Sequence, residues 1–156
     1  MRGVLTLRNR QRIRAVDLRR LRRLVLHLLA VEFQPAHYAL GVFLVGAPEI
    51  TRLNERFLQH AGATDVITFD YGEPGRPEAL GGDIFICVDE AVRAARRWHV
   101  SWHAELARYL VHALLHLRGY DDQSPPARRR MKRAENRIVK QLAKTFSCRR
   151  LGRRRP

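Results

Sequence analysis

Apolar residues recur along this chain with two periods, and the switches between them mark out its elements. Val4 to Arg8 (VLTLR) has the short, branched character of a strand. From Val16 to Val31 the period is helical, with Leu18, Leu21, Val25, Leu28 and Leu29 on one face and arginines opposite; Pro35 ends that region. Tyr38 to Val45 (YALGVFLV) is continuously apolar, short and aromatic, which predicts a strand buried on both faces. Pro48 at a first turn, then Ile50, Leu53, Asn54 and Phe57, predicts a second helix. Asp65 to Phe69 (DVITF) reads as a third strand, residues 71–81 as a mobile surface loop rich in glycine and proline, and Asp83 to Val88 as a fourth strand. Asp89 is placed to cap a helix over Glu90 to Trp98, and Ser101 to cap the next, which runs to Leu117. Pro125 and Pro126 open a last helix, roughly Ala127 to Leu142. From Ser147 onward there is no apolar period.

Four strands and about five helices predict one α/β domain, a small mixed four-stranded sheet packed with helices over residues 1–146. A basic, disordered tail is expected over residues 147–156. The length, 156 residues, suits a single core, and 46% hydrophobic residues exclude a disordered chain. Leu24 to Val31 is too short to span a bilayer and is interrupted by His27. Glu32-Phe33-Gln34-Pro35 does not resemble a secretory cleavage site, and a strand at Val4 to Leu7 argues against a transit peptide. The expectation is a cytoplasmic protein without membrane attachment. Two cysteines give no disulfide framework and no CxxC pair: Cys87 lies within an apolar strand, and Cys148 in the basic tail as an exposed bystander.

Charge changes the picture more than composition does. Thirty basic residues face fifteen acidic ones, a net charge of +15, and nearly all the cations are arginine. They cluster from Arg8 to Arg23, from Arg128 to Arg137 and from Arg149 to Arg155, with none between Leu24 and Ile50. Solvated helix faces absorb part of such a surplus, but its size favours a polyanionic partner, and arginine's planar fork suits phosphate.

The densest chemistry lies in His112 to Asp122, HALLHLRGYDD. His112 and His116 sit four apart in a helical pattern whose core stripe is Leu106, Leu110, Leu114 and Leu117. That spacing stacks both imidazoles on one face, as a single metal ion requires. Gly119 stands where a helix commonly ends in a left-handed residue, so the chain can reverse and return Asp121 or Asp122 towards the histidines. Two nitrogens and a carboxylate oxygen leave one open position, the mark of a catalytic zinc site. The alternatives are two ordinary half-buried histidines and an aspartate that caps its own turn. Zincin-type peptidases place a glutamate base directly after the first histidine; here that residue is Ala113. Its absence counts less against cleavage of RNA, whose own 2′-hydroxyl can act as nucleophile. His27, His37, His60, His99 and His103 show no metal spacing.

HALLHLRGYDD closely resembles the HGxLHLxGYDH signature of the YbeY family, bacterial single-strand-specific endoribonucleases of ribosomal RNA maturation. Leu53-Asn54, the strand Thr64 to Phe69 (like that family's TDVLSF) and Gly82-Asp83-Ile84 match in order and spacing, over roughly residues 38 to 143. The resemblance implies a metzincin-like α/β fold, one zinc ion per chain, and hydrolysis of phosphodiester bonds in single-stranded small-subunit rRNA, in a ribosome context that extends to quality control. It places His112 and His116 on the first two zinc ligands and Asp122 on the third, where the family has histidine. These three are the candidate catalytic residues, acting through the metal. Asp121 matches an aspartate expected behind the site, orienting a ligand or the turn. An RNA-contacting arginine of the family falls on Leu58, leaving Arg56 or Arg118 as candidate RNA-binding substitutes. Asp122 makes the metal a weaker Lewis acid, so reduced activity is expected.

The leading expectation is therefore a monomeric zinc-dependent endoribonuclease with single-stranded rRNA and the small ribosomal subunit as partners. The alternative is a non-catalytic RNA-binding assembly factor with a vestigial metal site. A metallopeptidase is disfavoured by Ala113 and by the charge.

Overall fold

The computed structural model describes residues 1–73 and 75–152. Strands β1 (Arg2–Asn9), β2 (His37–Val45) and β4 (Ala79–Cys87) run parallel, and β3 (Val66–Asp70) pairs antiparallel with β4, in the order β1-β2-β4-β3. The sheet is mixed, as expected. Helices α1 (Leu18–Leu28), α2 (Ala47–Leu58), α3 (Val88–Trp98), α4 (Trp102–Leu117) and α5 (Pro125–Thr145) complete the α/β domain. A π-helical turn, Leu29–Phe33, extends α1 to a left-handed Gln34.

The period-2 alternation of β2 and β4 divides the interior. Leu40, Val42 and Leu44 of β2, with Leu80, Ile84 and Ile86 of β4, enter the main core beside Leu21, Leu24 and Leu28 of α1 and Leu106, Leu110 and Leu114 of α4. Val45 and Cys87 face the other way, into a smaller cluster with Ile50 of α2, Ile67 and the stacked Phe43 and Phe85 rings. The second half of β2 is thus buried on both faces, the reason its sequence is continuously apolar. Cys87 is a core residue.

The site helix α4 lies across this sheet, and one glycine lets it come close. A Cβ at Gly82 of β4 would stand 2.4 Å from the Phe69 carbonyl and 2.7 Å from Leu117 Cδ2, so the end of α4 can seat only over a bare backbone. Asn54, buried on α2, donates from Nδ2 to the Gly62 carbonyl at 3.0 Å and pins the loop leading to β3. Asn54 and Gly82, one from each of two matched pairs, are therefore architectural.

Four expectations are corrected. The loop over 71–81 is shorter, because Ala79, Leu80 and Gly81 already pair in register with β2; parallel pairing to a central strand outweighs the local glycine signal. Asp89 does not cap its own helix: α3 begins two residues earlier than expected, at Val88, and Asp89 Oδ2 accepts from the Ala47 amide of α2 at 2.6 Å. The tail expected to be disordered holds a 3-10 turn, Cys148–Leu151, with Leu151 wholly buried and Gly152 bridged to Val16. Cys148 is accordingly half-buried against the main core rather than an exposed bystander. Leu151, Cys148 and the backbone pairing to Val16 and Asp17 together anchor that segment, contacts that no apolar period announces. Residues 153–156 of the predicted tail lie outside the described residues.

Candidate metal centre

Helix α4 is capped by Ser101, whose Oγ accepts from the Ala104 amide at 3.1 Å, as its sequence predicts. Nine of its sixteen residues are buried, and His112 and His116 fall on the strip that the core leaves open. At its end the Gly119 amide donates to the His116 carbonyl (2.9 Å) and the Tyr120 amide to the Leu115 carbonyl (3.0 Å). This Schellman closure needs the left-handed φ of +99° that Gly119 supplies. The chain reverses there and delivers Asp122 to the histidines.

The Nε2 atoms of His112 and His116 are 3.1 Å apart, and Asp122 Oδ2 lies 3.6 Å from His116 Nε2. One ligand atom from each residue falls within 4.8 Å of the other two. Bonds of about 2.0–2.2 Å in a tetrahedral zinc site imply ligand-to-ligand edges of about 3.3–3.6 Å. The two edges at His116 are near that size and the remaining one is longer but within 4.8 Å, so the three residues could converge on one small cation.

Hydrogen bonding also fixes which nitrogen offers its lone pair. His116 Nδ1 is 3.1 Å from the Tyr120 carbonyl, and His112 Nδ1 is 2.9 Å from Glu135 Oε1. A carbonyl and a carboxylate only accept, so a neutral ring that keeps this hydrogen bond carries its proton on Nδ1 and leaves the Nε2 lone pair facing the other histidine. Two lone pairs at 3.1 Å repel, and a cation between them removes the conflict.

Glu135, on α5, is 3% exposed and holds three partners: His112, Arg108 Nη1 at 2.7 Å and Lys132 Nζ at 2.8 Å. Burial alone would raise its pKa, but hydrogen bonds from His112, Lys132 and Arg108 outweigh that and hold it at about 2. The sequence reading missed it. A signal existed: Met131, Glu135, Ile138 and Leu142 share the buried stripe of α5, and a carboxylate in an apolar stripe calls for a partner.

The other candidates are not part of this cluster. Asp121 Oδ1 accepts from the Gln123 amide at 2.7 Å and so shapes the turn. Arg118 spends its guanidinium on the Pro77 carbonyl at 2.7 Å and the Phe33 carbonyl, strapping the loop before β4 to the end of the π-helical turn. Arg56 lies over the Phe57 ring at 5.2 Å and lines a separate hollow on α2 with Arg52 and Glu55. Leu58 is 43% exposed. Ala113 is fully buried, so position 113 offers the cluster no base.

A groove of about 820 Å³ opens beside the cluster. Residues of α4 between Glu105 and His112 line it, together with Trp98 and Val100 on one flank and Arg128, Arg129 and Lys132 of α5. Asp122 borders it, so the cluster faces a space large enough for a ligand.

The fold and the cluster together define a mixed α/β domain whose His-x3-His helix and glycine-returned carboxylate could hold one metal ion. The profile of the family described as Endoribonuclease YbeY matches residues 6–143. A relative of that description from Chlorobium phaeobacteroides is 35% identical over 129 residues, 83% of this chain and 91% of its own length. Those from Chlorobium luteolum and an Anaeromyxobacter species are 43% and 42% identical over 58% and 65% of this chain; the matches span 64% and 53% of their lengths, under two thirds. A Thermotoga maritima protein solved in solution superposes with a TM-score of 0.61 at 23% identity, covering 90% of this chain and 93% of its own, which supports the fold alone. The chain belongs to the YbeY endoribonuclease family.

Proposed function

We propose that this chain is a zinc-dependent endoribonuclease that hydrolyses phosphodiester bonds of single-stranded RNA. Its setting would be small-subunit rRNA maturation and ribosome quality control in the cytoplasm, as a monomer with one metal per chain. The observation that carries the reading is the convergence of His112 Nε2, His116 Nε2 and Asp122 Oδ2, with each histidine's Nδ1 held by an acceptor on its far side. When bound, zinc supplies Lewis acidity, which favours a nucleophile at neutral pH and charge on a phosphoryl oxygen. His112 and His116 hold the ion as neutral donors, Glu135 and the Tyr120 carbonyl keep their rings oriented, and Asp122 adds a negative charge that moderates its acidity. The +15 net charge supports a polyanionic substrate, and Arg128 and Arg129 on the groove supply phosphate-binding forks. No described helix is long and apolar enough to cross a membrane.

One observation favours a second reading, a non-catalytic RNA-binding assembly factor. Leu58 stands exposed where the family resemblance places an arginine, and Arg56 sits in a different hollow from the metal cluster. A single experiment separates the two. A labelled single-stranded RNA is incubated with protein stripped by EDTA, with zinc-replenished protein, and with His116→Ala. The enzyme reading expects cutting only in the replenished wild type. Salt-sensitive binding with no cutting in any arm would leave the assembly factor standing.

A further inference from the structure

The groove is unequal in its two flanks. Trp98, the last residue of α3, is 63% exposed there, and Val100 beside it is 45% exposed. His99 between them holds a left-handed φ of +53°, which turns the chain into α4 and leaves the indole at the groove's rim. The Arg97 guanidinium lies over the ring at 5.1 Å, while most of the ring stays in solvent. On the α5 side, Arg129 makes no hydrogen bond or ion pair among the described residues, and Arg128 makes only a 3.4 Å contact to the Asp122 carbonyl. Arg108 and Lys132 are committed to Glu135. Asp65 and Glu105 also line the groove, so phosphates are drawn to the α5 flank and an uncharged ring suits the rest.

Resting on the endoribonuclease reading, we propose that Trp98 is a nucleobase-stacking subsite, on which a base of the bound single strand lies while Arg128 and Arg129 hold its phosphates. Stacking needs an unpaired base, so the subsite would select single strands over duplexes. It reads no sequence, since every base has a π-face. Arg97 adds a cation to the aromatic platform.

The test measures binding of a ten-nucleotide single-stranded RNA, and of the same strand carrying abasic sites, in EDTA so that nothing is cut. Wild type, Trp98→Ala and Trp98→Phe are compared. The expected result is a loss on the order of tenfold for Trp98→Ala on the intact strand, little change on the abasic strand, and near-wild-type binding by Trp98→Phe. Equal binding of intact RNA by wild type and Trp98→Ala overturns the subsite while leaving the endoribonuclease reading intact. An equal loss on both strands also overturns it, since that would be a structural effect of the substitution. Absence of binding to either strand by the wild type defeats the subsite and the endoribonuclease reading together.

Discussion

Replacing Glu135 with glutamine is the sharpest perturbation of the proposed metal site that touches none of its candidate ligands. The side chain keeps its size, but two donors replace one of its acceptor oxygens. Three donors now surround Glu135: His112 Nδ1, Arg108 and Lys132. If the amide oxygen turns to the two cations, the amide nitrogen faces His112 Nδ1. The ring must then move its proton to Nε2, the atom that points at His116 and Asp122. A histidine protonated at Nε2 cannot ligate through it. Loss of such an orienting partner typically weakens metal binding by about 10–100-fold, or about 1.4–2.8 kcal/mol. The fold should lose less, about 1–2 kcal/mol, because Arg108 and Lys132 side chains are 28% and 63% exposed and water can take over part of their solvation. Competition against a chromophoric chelator measures zinc affinity, and circular dichroism checks that the fold persists. Glu135→Gln protein that is folded and binds zinc within twofold of wild type would refute the orienting role.

Two further outcomes concern the fold that holds the site. Asp89→Ala removes the acceptor for the Ala47 amide at the start of α2 and should cost about 1 kcal/mol by denaturant unfolding, against no effect if α2 needs no cap. Leu151→Ala should cost about 2–4 kcal/mol, since Leu151 is wholly buried; a loss below about 0.5 kcal/mol, the scale of a surface change, would show the segment to be undocked in solution.

The clustering of the candidate metal ligands was legible in one dimension because it is local. His112 and His116 lie on one helix, and Gly119 and Asp122 follow within six residues, so helical geometry and one turn type suffice to bring them together. Glu135 was harder to see because its meaning depends on how α5 crosses α4; read alone, it is one more charge on a highly charged helix. Arg118 shows the converse. Its position beside the histidines suggested RNA contact, yet a side chain one residue past a helix can point elsewhere, and here it reaches carbonyls 41 and 85 residues away. The central strands were readable from their unbroken apolar runs, whereas the start of β4 at Ala79 depends on pairing with β2 that its own glycines do not announce.

Metal content with and without Asp122 tests the central claim most directly. Wild-type and Asp122→Ala protein would be loaded with zinc, desalted and submitted to elemental analysis. The site built from His112, His116 and Asp122 predicts close to one zinc per chain in the wild type and a large loss in Asp122→Ala with the fold unchanged. Equal zinc in both proteins, or none in the wild type, would contradict it.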